Sequence, residues 1–354
     1  MVSCSKESIQ DPVSSQGQTT TGQASVSGNN VAVIENSAST GRSFGTLMIN
    51  GLIVGGVDLG NLTNYVLVFT DGSSDANWQG ATKGFVGKVA VNGLSASERT
   101  SGGVPYAGTI VTNEASLGSW QNIANQNSGQ AFVQTGQTST ISGLQTDLEN
   151  AFSQINSLSV TAGYDGITPQ SLDNLNTQNG VAETFVFNIS SGFQVTSQID
   201  ITGDAGDTYI FRWDTDKDAS NGYNGTVKFQ SGGAIIPHGG LTAANFIHVA
   251  GNISSSGGGS NPASPYPQGP RKNNGLGALI AGGSDFSGGG FFTGYWLTTG
   301  APTNSDDGQA YGQTSSLSNA IFVGGWYTKT TKFSMTSGTS AVYVAPPVNS
   351  NPGE

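Results

Sequence analysis

SGLQTDLENAFSQINSLS, residues 142–159, is the one stretch of the chain with a clear helical period. Leu144, Leu148, Phe152 and Ile155 recur at spacings of four and three, and Ala151 and Leu158 fall on the same side. One face must therefore bury against something. Gln145, Thr146, Glu149, Asn150 and Gln154 make the opposite side polar. Ser142 with Gln145 has the form of a capping box and sets the expected helix start. A lone amphipathic helix in an otherwise β chain is expected along the side of the β body. A loop helix packed on any sheet would need the same residues.

Outward from the helix, the pattern changes to short strands broken by glycine. On the C-terminal side come FVFNI (185–189), FQVTSQIDIT (193–202), TYIFRW (208–213), TVKF (226–229) and NFIHVAGNI (245–253). Residues 254–275, rich in Gly and Pro, read as an excursion that no strand contains. The chain returns with Leu276–Ala281 and Gly290–Leu297, a polar loop at 299–316, and two final strands, Ala320–Tyr327 and Ser340–Ala345. On the N-terminal side lie Leu47–Val57, Tyr65–Thr70 and Gly84–Val91. Tyr65–Phe69 is apolar without a break, as in a strand buried on both faces. Residues 93–130 are less regular, and Tyr164–Gly180 reads as a loop. Strands at this spacing suit a sandwich, a barrel or a stack of solenoid coils, and no strict repeat period is visible.

The organisation that follows is a polar arm at 1–43, one β domain at 44–348 with insertions at 254–275 and 299–316, and a tail at 349–354. Within the arm, residues 24–35 are apolar enough to pair as a strand. Added to the open sheet edge of a neighbouring copy, Val26, Val31, Val33 and Ile34 would set the register and build a filament. A hairpin or edge strand on its own body, or a tether, would use the same residues.

Composition limits the function classes. The 354 residues include 53 glycines, and only 10% of the chain is charged, about half the usual share. A net charge of −11 argues against binding a nucleic-acid backbone. No apolar run is long enough to span a bilayer. The single cysteine, Cys4, cannot form an internal bridge. Val2–Cys4 followed by Ser, Lys and Glu resembles the end of a bacterial lipoprotein signal, with Cys4 as the lipidated residue, and that anchor is the only membrane link expected. An incidental free thiol is the alternative.

Asp214, Asp216 and Asp218 alternate in DTDKDASNG, which places hard oxygen ligands around one turn as Ca²⁺ requires. A solvated Asp-rich turn needs the same residues, and calcium is the one cofactor considered. His238 and His248 are the only histidines, and no cysteine accompanies them to form a zinc site. His248 is expected half-buried in a strand. Phe291, Phe292, Tyr295 and Trp296 read either as an interface patch or as packing between neighbouring coils. No nucleophile elbow, phosphate loop or nucleotide fingerprint occurs.

The strand pair NYVLVFTDG and FVGKVAVNG (64–93), the LQTDLENAFSQINSL helix, ETFVFNISSGFQVTSQIDITGDAGDTYIFRW (183–213) and NFIHVAGNIS resemble the choice-of-anchor A family of bacterial surface proteins. The same order of helix, strand ladder and late glycine-rich strands resembles the ice-binding-like β-solenoid family. The resemblance spans about residues 45–345. It implies an all-β, right-handed β-solenoid (β-helix) with the long helix packed alongside, in secreted or surface-attached proteins without catalysis. The insertions and the N-terminal arm depart from the compact ice-binders.

The leading expectation is a non-catalytic extracellular protein of the bacterial surface, serving adhesion or assembly through self-association or another surface component. Ice binding is the second, with Thr196, Thr202, Thr208 and the group 328–331 as candidate rows. A carbohydrate-active β-helix enzyme acting on polysaccharide is the third.

Overall fold

Three strands per turn of the chain, each laid parallel on a strand of an adjacent coil, build the body of the molecule. The computed structural model describes residues 53–54, 56–70, 75–78, 84–93, 99–100, 106–115, 120–213, 226–230, 233–256, 291–299, 314–318, 321–329, 332–336 and 340–342. All belong to one compact unit, Ile49–Glu354. Cys4 and the strand-exchange residues Val26, Val31, Val33 and Ile34 lie outside the described residues.

The N-terminal part forms β1 (Ile53–Val54), β2 (Val57–Asp58), β3 (Tyr65–Phe69), β4 (Asp75–Trp78), β5 (Gly84–Val86), β6 (Lys88–Val91), β7 (Arg99–Thr100) and β8 (Tyr106–Thr112). Helix α1 (Trp120–Gln126), strand β9 (Ala131–Gln134) and the long helix α2 (Thr138–Ser157) follow. The next turns are β10 (Leu175–Asn176), β11 (Thr184–Ile189), β12 (Gln194–Val195), β13 (Gln198–Gly203), β14 (Thr208–Trp213), β15 (Thr226–Gln230) and β16 (Ala234–Gly239). The last are β17 (Phe246–Ala250), β18 (Asn252–Ser256), β19 (Phe291–Thr298), β20 (Thr314–Ser318), β21 (Ile321–Thr328), β22 (Lys332–Thr336) and β23 (Ser340–Val342).

The pairing makes three faces. On the first, β11, β14, β17 and the C-terminal halves of β19 and β21 stack in order, followed by β3, β6 and β8. The second carries β10, β13, β16, the N-terminal halves of β19 and β21, then β23, β5 and the start of β8. The third is β12–β15–β18–β20–β22–β4–β7. Among these described pairs only β1–β2 is antiparallel. The stack is not in chain order: Trp326–Thr328 of β21 pair with Leu67–Phe69 of β3, so the last coils of the chain carry the first.

Strands β19 and β21 turn from the second face onto the first within a single strand, and glycine makes this possible. Gly294 and Gly324 are register partners with φ of +91° and +137°. Gly87 and Gly108 turn the same corner with φ of +128° and +152°. A Cβ on Gly324 would land on the carbonyl oxygen of Gly294, and one on Gly108 would land on that of Gly87. FFTGYWLT (291–298) and IFVGGWYT (321–328) are therefore one motif in two coils, a repeat hidden by irregular coil length. FQVTSQIDIT, expected as one strand, is β12 and β13 separated by a corner at Thr196–Ser197.

The interior is filled by ladders of aromatic rings in register. Phe187, Phe211, His248, Trp296 and Trp326 occupy successive coils of the first face. The rings of Phe211 and His248 lie 4.5 Å apart, and those of His248 and Trp296 lie 4.0 Å apart and nearly parallel. His248 is therefore an interior residue with no exposure, which corrects the half-buried expectation. Phe69 closes edge-on against Trp326.

Helix α2 lies along the outer side of the first face. Ile141, Leu144, Leu148, Ala151 and Ile155 share a core cluster with Val186, Ile210, Ile247, Leu297, Tyr327, Val68, Ala90 and Val111, one or more from each coil. Full burial of side chains such as Leu148 and Ile155 contributes about 1.5–3 kcal/mol each. The 20-residue helix is about 30 Å long. Eight strands of the first face span about 34 Å at the usual strand spacing, so one helix returns the chain from the upper end to the lower. Ser142 does not start it. The helix begins one turn earlier, at Thr138, with no side-chain cap on Gln137. Backbone bonds from Gly136 N–H to Glu114 C=O and from Gln137 N–H to Thr112 C=O fix the start on the end of β8 instead.

At the lower end, the expected loop Tyr164–Gly180 contains β10 and closes the stack. The backbones of Thr161, Tyr164 and Ile167 bond to the free edge of β11. The upper end finishes with β9, paired on β8.

Candidate functional site

The helix occupies the first face, so a ligand surface must come from the other two. On the second, alternation is clear in β13: Ile199 and Ile201 enter the core, and Gln198, Asp200 and Thr202 stand outside. The register carries this outer parity to Ala234, Ile236 and His238. Asp200 Oδ1 lies 2.7 Å from His238 Nε2 and accepts a hydrogen bond from Gln198 Nε2 at 2.6 Å. One to three coils higher the same side is apolar. Ala234, Ile236, Phe291 and Val323 form a cluster with Ala243, and all five are buried. The middle of this face is not a free surface.

On the third face, Val195, Val227 and Phe229 enter the core, and Lys228 stands between two of them, half-buried. The row through Lys228 runs without a break across all seven strands: Gln194, Lys228, Ser254, Ser316, Ser334, Asn77, Arg99. Of its members, Gln194 is exposed and Lys228 half-buried, on the side opposite Val195, Val227 and Phe229. None of the seven is apolar and none is acidic, in a chain of net charge −11. Neighbouring rows pair Thr226 with Asn252, Gln230 with Ser256, and Ser318 with Thr336. At about 4.8 Å per strand the row is roughly 29 Å long. Such a row can meet a periodic partner at every coil at once.

This row could have been found from NISSS (252–256), TSSLS (314–318) and KFSMT (332–336), which place serine at matching positions. It was hidden because Ser254–Ser256 and Thr314–Ser316 read as the ends of loops. Serine has weak strand propensity, and these strands hold by pairing to both neighbours.

Thr330 and Thr331 lie outside the described residues, and the other threonines expected to form rows are scattered. Thr202 stands on the second face, Thr196 is exposed at a corner, and Thr208 and Thr328 are buried. Thr328 instead accepts a 2.6 Å bond from Thr298 inside the body. Phe291, Phe292, Tyr295 and Trp296 are all buried, so they form no exposed patch; Phe292 and Trp296 enter the interior, and Tyr295 packs under the helix. Asp214, Asp216 and Asp218 lie outside the described residues. Among the described residues, no group of three His, Cys, Asp or Glu is placed to hold a metal ion.

The buried carboxylate of Asp207 is engaged in structure. Its oxygens accept from the backbone N–H groups of Glu183 and Asp204, from Thr177 Oγ1 and from Tyr209 OH. Burial raises the Tyr209 pKa far above its ordinary value. His248 accepts from Trp213 Nε1 at 3.3 Å through Nδ1, and burial holds its pKa well below the ordinary value.

No protein-family model matches the chain, and no curated protein sequence matches it. Solved structures of similar architecture include three ice-binding proteins. One, glycosylated, is from an Arctic yeast, with 13% identity and a TM-score of 0.43 over 82% of this chain and 97% of that one. Another is from the Antarctic ascomycete Antarctomyces psychrotrophicus, with 13% identity and a TM-score of 0.40 over 83% and 99%. The third is from an Antarctic biological consortium, with 15% identity and a TM-score of 0.40 over 80% and 90%. The resemblance to choice-of-anchor A proteins has no counterpart among these matches.

Proposed function

We propose that this chain is a non-catalytic β-solenoid that binds ice through its third face. The observation that carries the reading is the unbroken polar row from Gln194 to Arg99, with Ser254, Ser316 and Ser334 at its centre. A parallel sheet holds these positions at a fixed spacing, so little ordering cost remains to be met on binding. Serine adds small hydroxyl groups that both donate and accept. A single water or sugar touches one or two coils. A crystalline surface engages the whole row, and many weak contacts then act together. Ice is what the similar solved structures are named for. Adhesion and filament formation drew on the arm and Cys4, which lie outside the described residues, so ice binding takes first place.

The test is thermal hysteresis and inhibition of ice recrystallisation by the full chain. Ser316→Tyr and Ser334→Tyr should abolish both by interrupting the row, and Thr202→Tyr on the second face should leave both intact. A parent protein with neither activity overturns the reading. Loss of activity only in Thr202→Tyr moves the site to the second face.

A further inference from the structure

We propose that the upper end of the solenoid is an interface for a second copy of this chain, paired edge to edge through β9. Strand β9 reads AFVQ and bonds to β8 on one side. Phe132 is 59% exposed, one of two exposed large apolar side chains among the described residues. The lower end differs, because irregular backbone from Thr161 to Ile167 covers its edge strand. Strand β9 has neither a proline nor a charge, the devices that normally block an open edge.

Charge favours a second copy as the occupant. The chain carries −11, so two copies repel over most orientations. Residues 115–146, which include α1, β9 and the start of α2, contain no Asp, Glu, Lys or Arg. The upper end is where two copies approach with the fewest charges, Glu114 beside Gly136 being the acidic residue that borders β9.

The backbone fixes the geometry. Gly108 N–H bonds to Gln130 C=O, so the even-numbered residues of β9 direct their backbone groups to β8. Ala131 N–H is taken by Asn127 C=O. Val133 therefore presents both N–H and C=O along the open edge. Two antiparallel copies related by a two-fold axis satisfy both, with Val133 opposite the partner subunit's Val133. That register places Phe132 opposite the partner subunit's Gln134.

Sedimentation velocity of the full chain across a concentration series tests this. The expected result is a monomer–dimer equilibrium that tightens as salt screens the net repulsion. Phe132→Lys and Gln134→Glu, each alone, should weaken the dimer roughly tenfold or more, and Thr202→Glu should not. An equimolar mixture of Phe132→Lys with Gln134→Glu should restore a dimer, because the register pairs the new charges. Gln134→Glu alters an exposed side chain, so it decides the matter even if a change at Phe132 disturbs folding. A parent that is monomeric throughout, a dimer that both variants retain, or a mixture that stays monomeric overturns the proposal.

Discussion

His248 shows how a titratable residue becomes a structural one. It lies face to face between Phe211 and Trp296, and Trp213 Nε1 donates to its Nδ1, which leaves the proton of the neutral ring on Nε2. Burial lowers its pKa well below 6.5, partly opposed by the Thr293 backbone. Below pH 6.5 the unfolded chain binds a proton at this residue that the folded chain refuses, so ν of the unfolded state exceeds that of the folded state. Stability is full above that pH and falls as pH drops through it toward the folded pKa. Denaturant titrations from pH 8 to pH 5 should show this loss in the parent, and His248→Phe should reduce it. Arg212 is the second such residue. Its Nη1 donates to the Ile155 and Leu158 carbonyls and caps the C-terminal end of α2. Arg212→Met should cost about 2 kcal/mol in urea denaturation, the worth of charge-assisted bonds at a helix end.

Among the elements, the helix was the most legible because its period survives any tertiary context. Leu144, Leu148, Ala151 and Ile155 all lie where their spacing placed them. Its start was not legible, because Thr112 and Glu114 fix it from another element. Tyr65–Phe69 was also readable, since a strand between core and helix has no solvent side. The serine row left only a faint mark in NISSS, TSSLS and KFSMT, because its alignment lies in the register between coils separated by long segments. Corner glycines give a direct test at this scale. Gly324→Ala meets both a left-sided φ and the Gly294 carbonyl, whereas Gly129 has φ +82° with nothing near its absent Cβ. Gly129→Ala should cost about 1 kcal/mol and Gly324→Ala at least twice that. Equal losses in thermal or denaturant unfolding would disprove the corner argument.

At the scale of the whole molecule, the pairing of β21 with β3 makes the described coils one cooperative body. Thr70 N–H bonds to Thr328 C=O, and Lys329 N–H bonds to Thr298 C=O, so the junction and the coil beneath it share one ladder. Native-state hydrogen exchange should therefore give Thr70 and Lys329 the same opening free energy. A lower value for Thr70 would mean that the N-terminal coils open separately.

The same junction sets a schedule for synthesis. Leu67 leaves the ribosome long before its partner Trp326 exists. At about 5–20 residues per second the wait is roughly 13–50 s. Throughout that interval the YVLVF strand can pair only with β6, and its other edge is open to other nascent chains. Chaperones that hold nascent chains and expression temperature should thus govern yield more strongly than the final stability does. A circular permutant that begins at the helix and places residues 53–112 last would emerge in stacking order and remove the delay.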